Sequence, residues 1–284
     1  MARPAKLIVL LSIVLAIAAA QARPQRIISL IPAVTEMLFA IGAGPQVVAV
    51  SSFDEYPPQV KQLERVGALL DPNLERILAL RPDLVISYGS QEDLQKQLAR
   101  ANIPVYSYRH TGLADVTITI AEVGKRVGHE AEAAALASRI ESQLAAIRAK
   151  VANQPRPRTL LVFGREIGAL RGIYASGGVG FLHDMLVTAG GEDVFADVKR
   201  ESVQASTEQI LARKPDVILE IRSGSSELGN LQSEAAVWKA LASVPAVRNG
   251  RVLFVVDPRT VVPGPRVAEG TELLARALHP GVFK

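Results

Sequence analysis

Residues 73–87 read NLERILALRPDLVIS, and residues 206–220 read STEQILARKPDVILE. Set against each other without a gap, at an offset of 133 positions, they share Glu75/Glu208, Ile77/Ile210, Leu78/Leu211, Ala79/Ala212, Pro82/Pro215 and Asp83/Asp216. In the first copy Leu74, Ile77 and Leu78 have the i, i+3, i+4 apolar spacing of an amphipathic helix. Asp71 or Asn73 can cap it. Pro82-Asp83 ends it, and residues 84–87 read as a buried strand. A chain that spells helix, turn and strand twice is expected to build two lobes, each carrying the unit at the same place in its topology.

Outward from the repeat, strands and helices alternate. Residues 27–30 read as a short strand. Met37, Leu38 and Ile41 then mark a helix that Gly42 or Gly44 can end, and residues 47–50 are a second strand. SSFDEYPP, residues 51–58, is a polar turn kept from helix by two prolines. A helix over 92–101 and a strand over 103–106 follow. This alternation predicts parallel pairing with right-handed crossovers. At 130–152 the pattern changes. Leu136, Ile140, Leu144, Ile147 and Val151 recur with no Gly or Pro between them. That predicts one helix of about 22 residues and about 33 Å, stopped at Gln154-Pro155-Arg156-Pro157. After it come strands at 159–163 and 173–176, a helix over 181–189 ended by Gly190-Gly191, the second copy, a helix over 235–241, a strand at 252–256 and a last helix over 267–278. The chain is α/β and divides into residues 1–22 (below), an N-terminal lobe over 23–128, a connecting helix over 129–154 and a C-terminal lobe over 155–284.

The first 22 residues are a signal peptide. Arg3 and Lys6 give a positive start, residues 7–20 are apolar apart from Ser12, and Ala20-Gln21-Ala22 is a small-x-small site, with cleavage expected after Ala22. The run falls short of the roughly 20 residues that span a bilayer, and no other run is long enough. Hydrophobic residues make up 49% and charged residues 21%, the balance of a folded body. The formal charge of +4 falls to +2 once Arg3 and Lys6 are gone. No basic stripe interleaved with aromatics is present, which argues against nucleic acid as a partner. The chain has no cysteine, so it has no disulfide, thiolate metal site or lipid-anchoring cysteine. A Gram-negative periplasm fits.

Signs of catalysis are weak. Histidine stands only at 110, 129, 183 and 279, never at metal-ligand spacing, and there is no GxSxG elbow or Walker A loop. A dinucleotide fingerprint starting at Gly178 would need Gly or Ala at 183, where His183 stands; the glycines at 177, 178 and 180 read as a tight strand-to-helix turn. His183 and Asp184 are adjacent on a helix and do not face each other. His183 reads as a partly buried structural residue, with haem or iron ligation the lesser alternative. Glu75 and Glu208 each fall in the first turn of their helix, off the apolar stripe. Interaction with the helix dipole, worth about 0.3–1 kcal/mol, accounts for one such glutamate. A matched pair in two lobes fits that account less neatly, unless the repeat is inherited.

SLIPAVTEMLFAIGAG (29–44), DEYPP (54–58), the 73–86 unit, the unbroken helix, the 206–219 unit and GPR (264–266) together resemble the periplasmic cobalamin and iron-siderophore binding proteins of ABC importers, most closely the cobalamin branch. The resemblance runs in order over nearly the whole mature chain. It implies two Rossmann-like lobes joined by one rigid helix, with ligand in the cleft between them. It further implies that Glu75 and Glu208 each meet arginines on one half of a dimeric permease in the inner membrane. The cleft is then lined by loops at the carboxyl ends of the strands, where the candidates are Tyr56, Tyr88, Phe163, Arg165, Tyr174, Arg259 and Arg266. Tyr56 matches the tyrosine of the family's DYPP motif, and Arg266 matches a family arginine near the cleft.

The sequence also departs from the family. Its one tryptophan, Trp238, reads as packing in the second lobe; Leu69-Leu70 stand where an aromatic is expected, and residues 199–203 lack another. The expected cargo is a corrinoid, with a ferric siderophore or haem as the alternative, so cobalt or iron arrives inside the ligand and the chain needs no cofactor of its own. An exported α/β enzyme is the alternative of another class. A monomer is expected, and one spanning helix implies small closure.

Overall fold

The computed structural model describes residues 23–224 and 231–283. The expected signal peptide, with its cleavage after Ala22, lies outside the described residues. The first sheet uses β1 (Ile27–Ser29), β2 (Val47–Val50), β3 (Glu64–Arg65), β4 (Leu84–Tyr88) and β5 (Val105–Tyr108), in the order β3-β2-β1-β4-β5. Every pairing in it is parallel. Between the strands run α1 (Pro32–Ala40), α2 (Leu74–Ala79) and α3 (Glu92–Arg100), and α4 (Ala114–Val127) follows.

The predicted long helix is α5 (Glu130–Val151), 22 residues. Its buried positions are Ala133, Leu136, Ile140, Leu144, Ile147 and Val151, the stripe seen in the sequence plus one alanine. That stripe belongs to a core cluster holding residues from both sheets, among them Ile27, Leu84, Leu161 and Leu219. The spanning helix is therefore packed against both lobes rather than strung between them.

The second sheet uses β6 (Arg158–Gly164), β7 (Ile173–Ser176), β8 (Glu192–Asp193), β9 (Ser202–Ala205), β10 (Val217–Arg222) and β11 (Val252–Val256). Its order is β11-β10-β6-β7-β9, with β8 beside β6. Here the expectation of a wholly parallel sheet is corrected at one edge. β7 runs antiparallel to β6 and to β9, because residues 165–172 return the chain in a tight loop, with Glu166 N donating to Arg171 O at 3.0 Å, instead of crossing over a helix. Helices α6 (Phe181–Thr188), α7 (Thr207–Arg213), α8 (Leu231–Val237), α9 (Pro245–Arg248) and α10 (Val267–Leu278) complete the lobe.

The repeat is structural to the level of single atoms. Asn73 caps α2 by accepting from Arg76 N at 2.9 Å. Ser206 caps α7, in a capping box with Gln209. Arg81 and Lys214, one residue before each proline, both take positive φ, 46° and 50°. Pro82 and Pro215 cannot continue a helix past that left-handed residue. The aspartates that follow clamp the strand next door: Asp83 accepts from Arg26 N at 2.8 Å, and Asp216 from Arg158 N at 3.2 Å. Ile77 and Ile210 plug equivalent outer faces of the two sheets. The shared letters of the two stretches are thus a cap-to-clamp cassette used once per lobe.

Candidate functional site

Two cavities open at the carboxyl ends of the strands, the end at which α/β sheets bind ligands. One, of about 730 Å³, is lined by Ile31, Tyr88, Tyr108, Arg109 and His110 of the first lobe and by Val261, Val262 and Pro263 of the second. The other, of about 530 Å³, is lined chiefly by Phe163, Phe181, Leu182, Glu201 and Ile221 of the second lobe. His110, Val261 and Pro263 line both, so the cavities are the two halves of one interlobe cleft.

Strand register builds its aromatic wall. Tyr88 and Tyr108 are the last, paired residues of β4 and β5. Their rings meet edge-on at 6.1 Å. The His110 ring stacks on Tyr108 at 6.2 Å, and Phe181 of the other lobe meets His110 edge-on at 5.5 Å. One row of rings therefore crosses from lobe to lobe. Burial raises the Tyr88 and Tyr108 phenols above their ordinary value, so both stay neutral. Burial also pushes the His110 imidazole below its ordinary value, against the pull of Asp115, Glu201 and Asp184. Arg109 carries no ion pair among the described residues, and it is the arginine of the first cavity.

Of the sequence-derived candidates, Tyr88 and Phe163 line the cleft. Tyr174 lies beside it, 6.3 Å from the Phe163 ring. The arginines are committed elsewhere. Arg165, expected at the cleft, has a side chain 0% exposed and bonded to Glu220 and Glu234. It lies there because β10 alternates: Leu219 and Ile221 face the central core, while Glu220 faces the outer layer with Trp238. Arg259 is held by Asp257 and Glu269. Arg266 forms a two-pronged bond to Glu36 and sits 3.8 Å over the Tyr56 ring. Tyr56 and Arg266 thus line a separate depression beside α5.

Sequence reasoning missed Tyr108, Arg109 and His110. It ended the strand at 106, whereas Asn102 turns the chain in a left-handed conformation at φ 55° and β5 starts after Pro104. Extending the strand to Tyr108 puts the next two residues at the cleft mouth. His183 is the structural histidine expected, its Nδ1 3.0 Å from the buried Asp193. The glycines form the turn expected: a Cβ at Gly177 or Gly178 would strike the backbone oxygen of Arg200 or Ala196. Trp238 is fully buried in the second lobe. Among the described residues no group of three or more His, Asp or Glu converges as a metal site, and no helix is long and apolar enough to cross a membrane.

Glu75 and Glu208 are both exposed, each in the first turn of its helix. Because β9 runs in the same sense as β6, α7 leaves its sheet at the carboxyl end, as α2 does. The two carboxylates therefore sit at the same end of their respective lobes.

A family model described as periplasmic binding protein matches residues 27–258. The chain belongs to the periplasmic binding protein family. Relatives within it place the chain more finely. A vitamin B12-binding protein of Pectobacterium atrosepticum is 32% identical over 236 residues, 81% of each chain. The periplasmic vitamin B12-binding protein of Vibrio cholerae superimposes with a TM-score of 0.77 at 25% identity, over 92% of this chain and 99% of that one. A periplasmic heme-binding protein of Roseiflexus sp. RS-1 does so at 0.78 and 28%, over 90% and 98%. The sequence resemblance to the cobalamin and iron-chelate type is thereby borne out, and with it the two-lobed fold around a helical backbone.

Proposed function

We propose that the protein captures a corrinoid in the interlobe cleft and delivers it to a two-fold ABC permease in the inner membrane, without turnover. The observation that carries this reading is the joined pair of cavities walled by Tyr88, Tyr108, Phe163 and Phe181. Drug-sized ligands use pockets of about 300–1,000 Å³; the two halves together suit something larger and flat. Aromatic faces suit an apolar macrocycle. Arg109 offers a free guanidinium for an anionic arm, the phosphate of a complete corrinoid among them. The B12-binding relatives support the same cargo.

Haem is the second reading. It is favoured by the absence of tryptophan from the described cleft, where Trp238 is in the core instead, and by the heme-binding neighbours. On either reading the leader is cleaved after Ala22, the mature chain is a monomer, and Glu75 and Glu208 are the permease contacts.

Titration of the purified mature protein with cyanocobalamin, ferric haem and a ferric siderophore, followed by visible absorbance, tests the assignment. Saturable one-to-one binding of cobalamin, tighter than of the other two, is expected. Binding of the siderophore alone, or of none, would overturn it.

A further inference from the structure

The cleft carries its charge in two places. Among the described residues that line it, Arg109 is the charged side chain of the first cavity and Glu201 that of the second. Both are exposed. Among the described residues neither side chain has an ion-pair partner, whereas Arg165, Arg259 and Arg266 are each met by carboxylates.

The backbone seats both charges in the same way. Arg109 follows the end of β5 and lies over Gly89, the residue after β4; a Cβ on Gly89 would stand 3.0 Å from Arg109 Cγ. Glu201 precedes β9 and lies over Gly180, where α6 begins; a Cβ there would stand 2.9 Å from Glu201 Cγ. The Glu201 peptide is pinned too, its carbonyl accepting from Gly177 N at 3.2 Å. Each charged side chain therefore rests on bare backbone at its own wall. The start of α6 favours a carboxylate at this place, which accounts for its being tolerated there but not for its lack of a partner. Two other carboxylates act on the junction at His110, and both are committed. Asp115 accepts from Thr111 and Gly112, and Asp184 accepts from Leu113 N at 2.9 Å. Glu201 is the one of the three with its acceptors left for cargo.

The cleft thus offers a cation in one half and an anion in the other, with aromatic and aliphatic walls between them. A ligand that fills both halves is matched when its own charges are laid out in the opposite sense, and it is penalised wherever its anion meets Glu201. A corrinoid, with a phosphate on one arm and amide N–H groups on the others, can be laid in that sense. Haem has carboxylates and no N–H arm to give. A polyanionic ferric siderophore meets one cation and one anion.

We infer that Glu201 is the specificity residue of the cleft: its carboxylate accepts from amide N–H arms of the cargo and turns anionic chelates away, while Arg109 takes the single anionic arm. This rests on the corrinoid reading above and sharpens it to a ligand without net charge, bound one way round.

The probes are cyanocobalamin, its monocarboxylates, in which one amide arm is an acid of the same shape, and ferric haem. Glu201→Gln keeps an acceptor without the charge, and Glu201→Lys reverses the charge. The wild type should bind at least one monocarboxylate isomer about tenfold more weakly than cyanocobalamin, the cost of bringing like charges together in the cleft. Glu201→Gln should hold cyanocobalamin within about threefold and lose that discrimination, and Glu201→Lys should prefer the same isomer and gain about tenfold for haem. Added salt should tighten the rejected isomer on the wild type and weaken it on Glu201→Lys. A role in folding alone would not make the effect follow the charge of the probe. If cyanocobalamin binds and every isomer binds the wild type and Glu201→Lys alike, Glu201 does not face the cargo, and this inference falls while the binding function stands. If cyanocobalamin does not bind the wild type, or haem binds it more tightly, the corrinoid reading falls and takes the inference with it.

Discussion

Glu36 of the first lobe and Arg266 of the second are joined by two parallel hydrogen bonds of 2.8 and 2.6 Å across 230 residues of chain. Glu36 is 4% exposed on α1. Arg266 lies just before α10 and covers the Tyr56 ring. Such paired geometry fixes orientation as well as attraction. Beside the single helix α5, it is a second tie between the lobes, and Leu113 N to Asp184 is a third.

Arg266→Met should therefore act at a distance from the cleft. It leaves the Glu36 carboxylate buried without its partner, a loss of about 3 kcal/mol by the usual cost of halving such a pair. Urea unfolding measures it. The double variant Glu36→Gln with Arg266→Met should recover most of the loss. Scattering curves of the single variant, with and without ligand, should differ more than those of the wild type. An unchanged urea midpoint in Arg266→Met would show that the tie carries no stability.

Glu220 is the keystone of a different network. Its carboxylate, fully buried, accepts from Arg165 at 3.0 Å, Arg222 at 2.8 Å and Trp238 Nε1 at 2.6 Å. Glu220→Ala should cost about 3–5 kcal/mol by stranding buried cations. Arg165 faces this network, so any protein that remains folded should keep its ligand affinity within about twofold. A large affinity loss in folded protein would return Arg165 to the list of ligand contacts.

His279 sets a slope of stability with pH. It is buried, its Nε2 has no partner, and burial pushes its imidazole below the ordinary value of 6.5. The unfolded chain takes up the proton first. The contribution is thus complete above 6.5 and is lost as pH falls through that value toward the folded one. Urea midpoints between pH 8 and pH 5 should fall more steeply for the wild type than for His279→Gln. Parallel curves would show that His279 is not strained by its surroundings.

Much of this was legible in the sequence because it is written in local periodicity. The stripe of α5, the bounds of α10 and the repeat cassette all follow from spacing, caps and breakers. The cleft was harder. Phe163 and Tyr88 were found because each stands at the carboxyl end of a strand whose apolar run is easy to see. Tyr108 and His110 were missed because Pro104 shifts β5 by two residues, and a shift of that size moves the wrong side chains into the loop. The arginines misled because sequence does not show which carboxylate an arginine will meet. Arg165 finds Glu220 only through the pairing of β6 with β10, and Arg266 finds Glu36 only once the lobes are together.

The last test concerns the repeat itself. Glu75 and Glu208 stand in the first turns of α2 and α7, each three residues before an exposed leucine, Leu78 and Leu211. The Glu208 carboxyl is held below its ordinary range, first by its own backbone N–H and then by the Ser206 hydroxyl, so it is charged at neutral pH. The dipole of a helix start favours such charges, but neither carboxylate forms an ion pair among the described residues, which leaves the charge of both available to a cationic partner. A two-fold permease with an arginine cluster on each half would take one from each lobe. Reversal to Glu75→Arg or Glu208→Arg should lower uptake at least tenfold, and the double reversal should abolish it, while ligand affinity in solution stays within twofold. The single-variant defects should shrink as salt rises, since exposed pairs are screened within about 8–10 Å. Uptake that survives the double reversal would mean that the cassette is repeated for its cap and clamp alone, and that the permease reads some other feature of the two lobes.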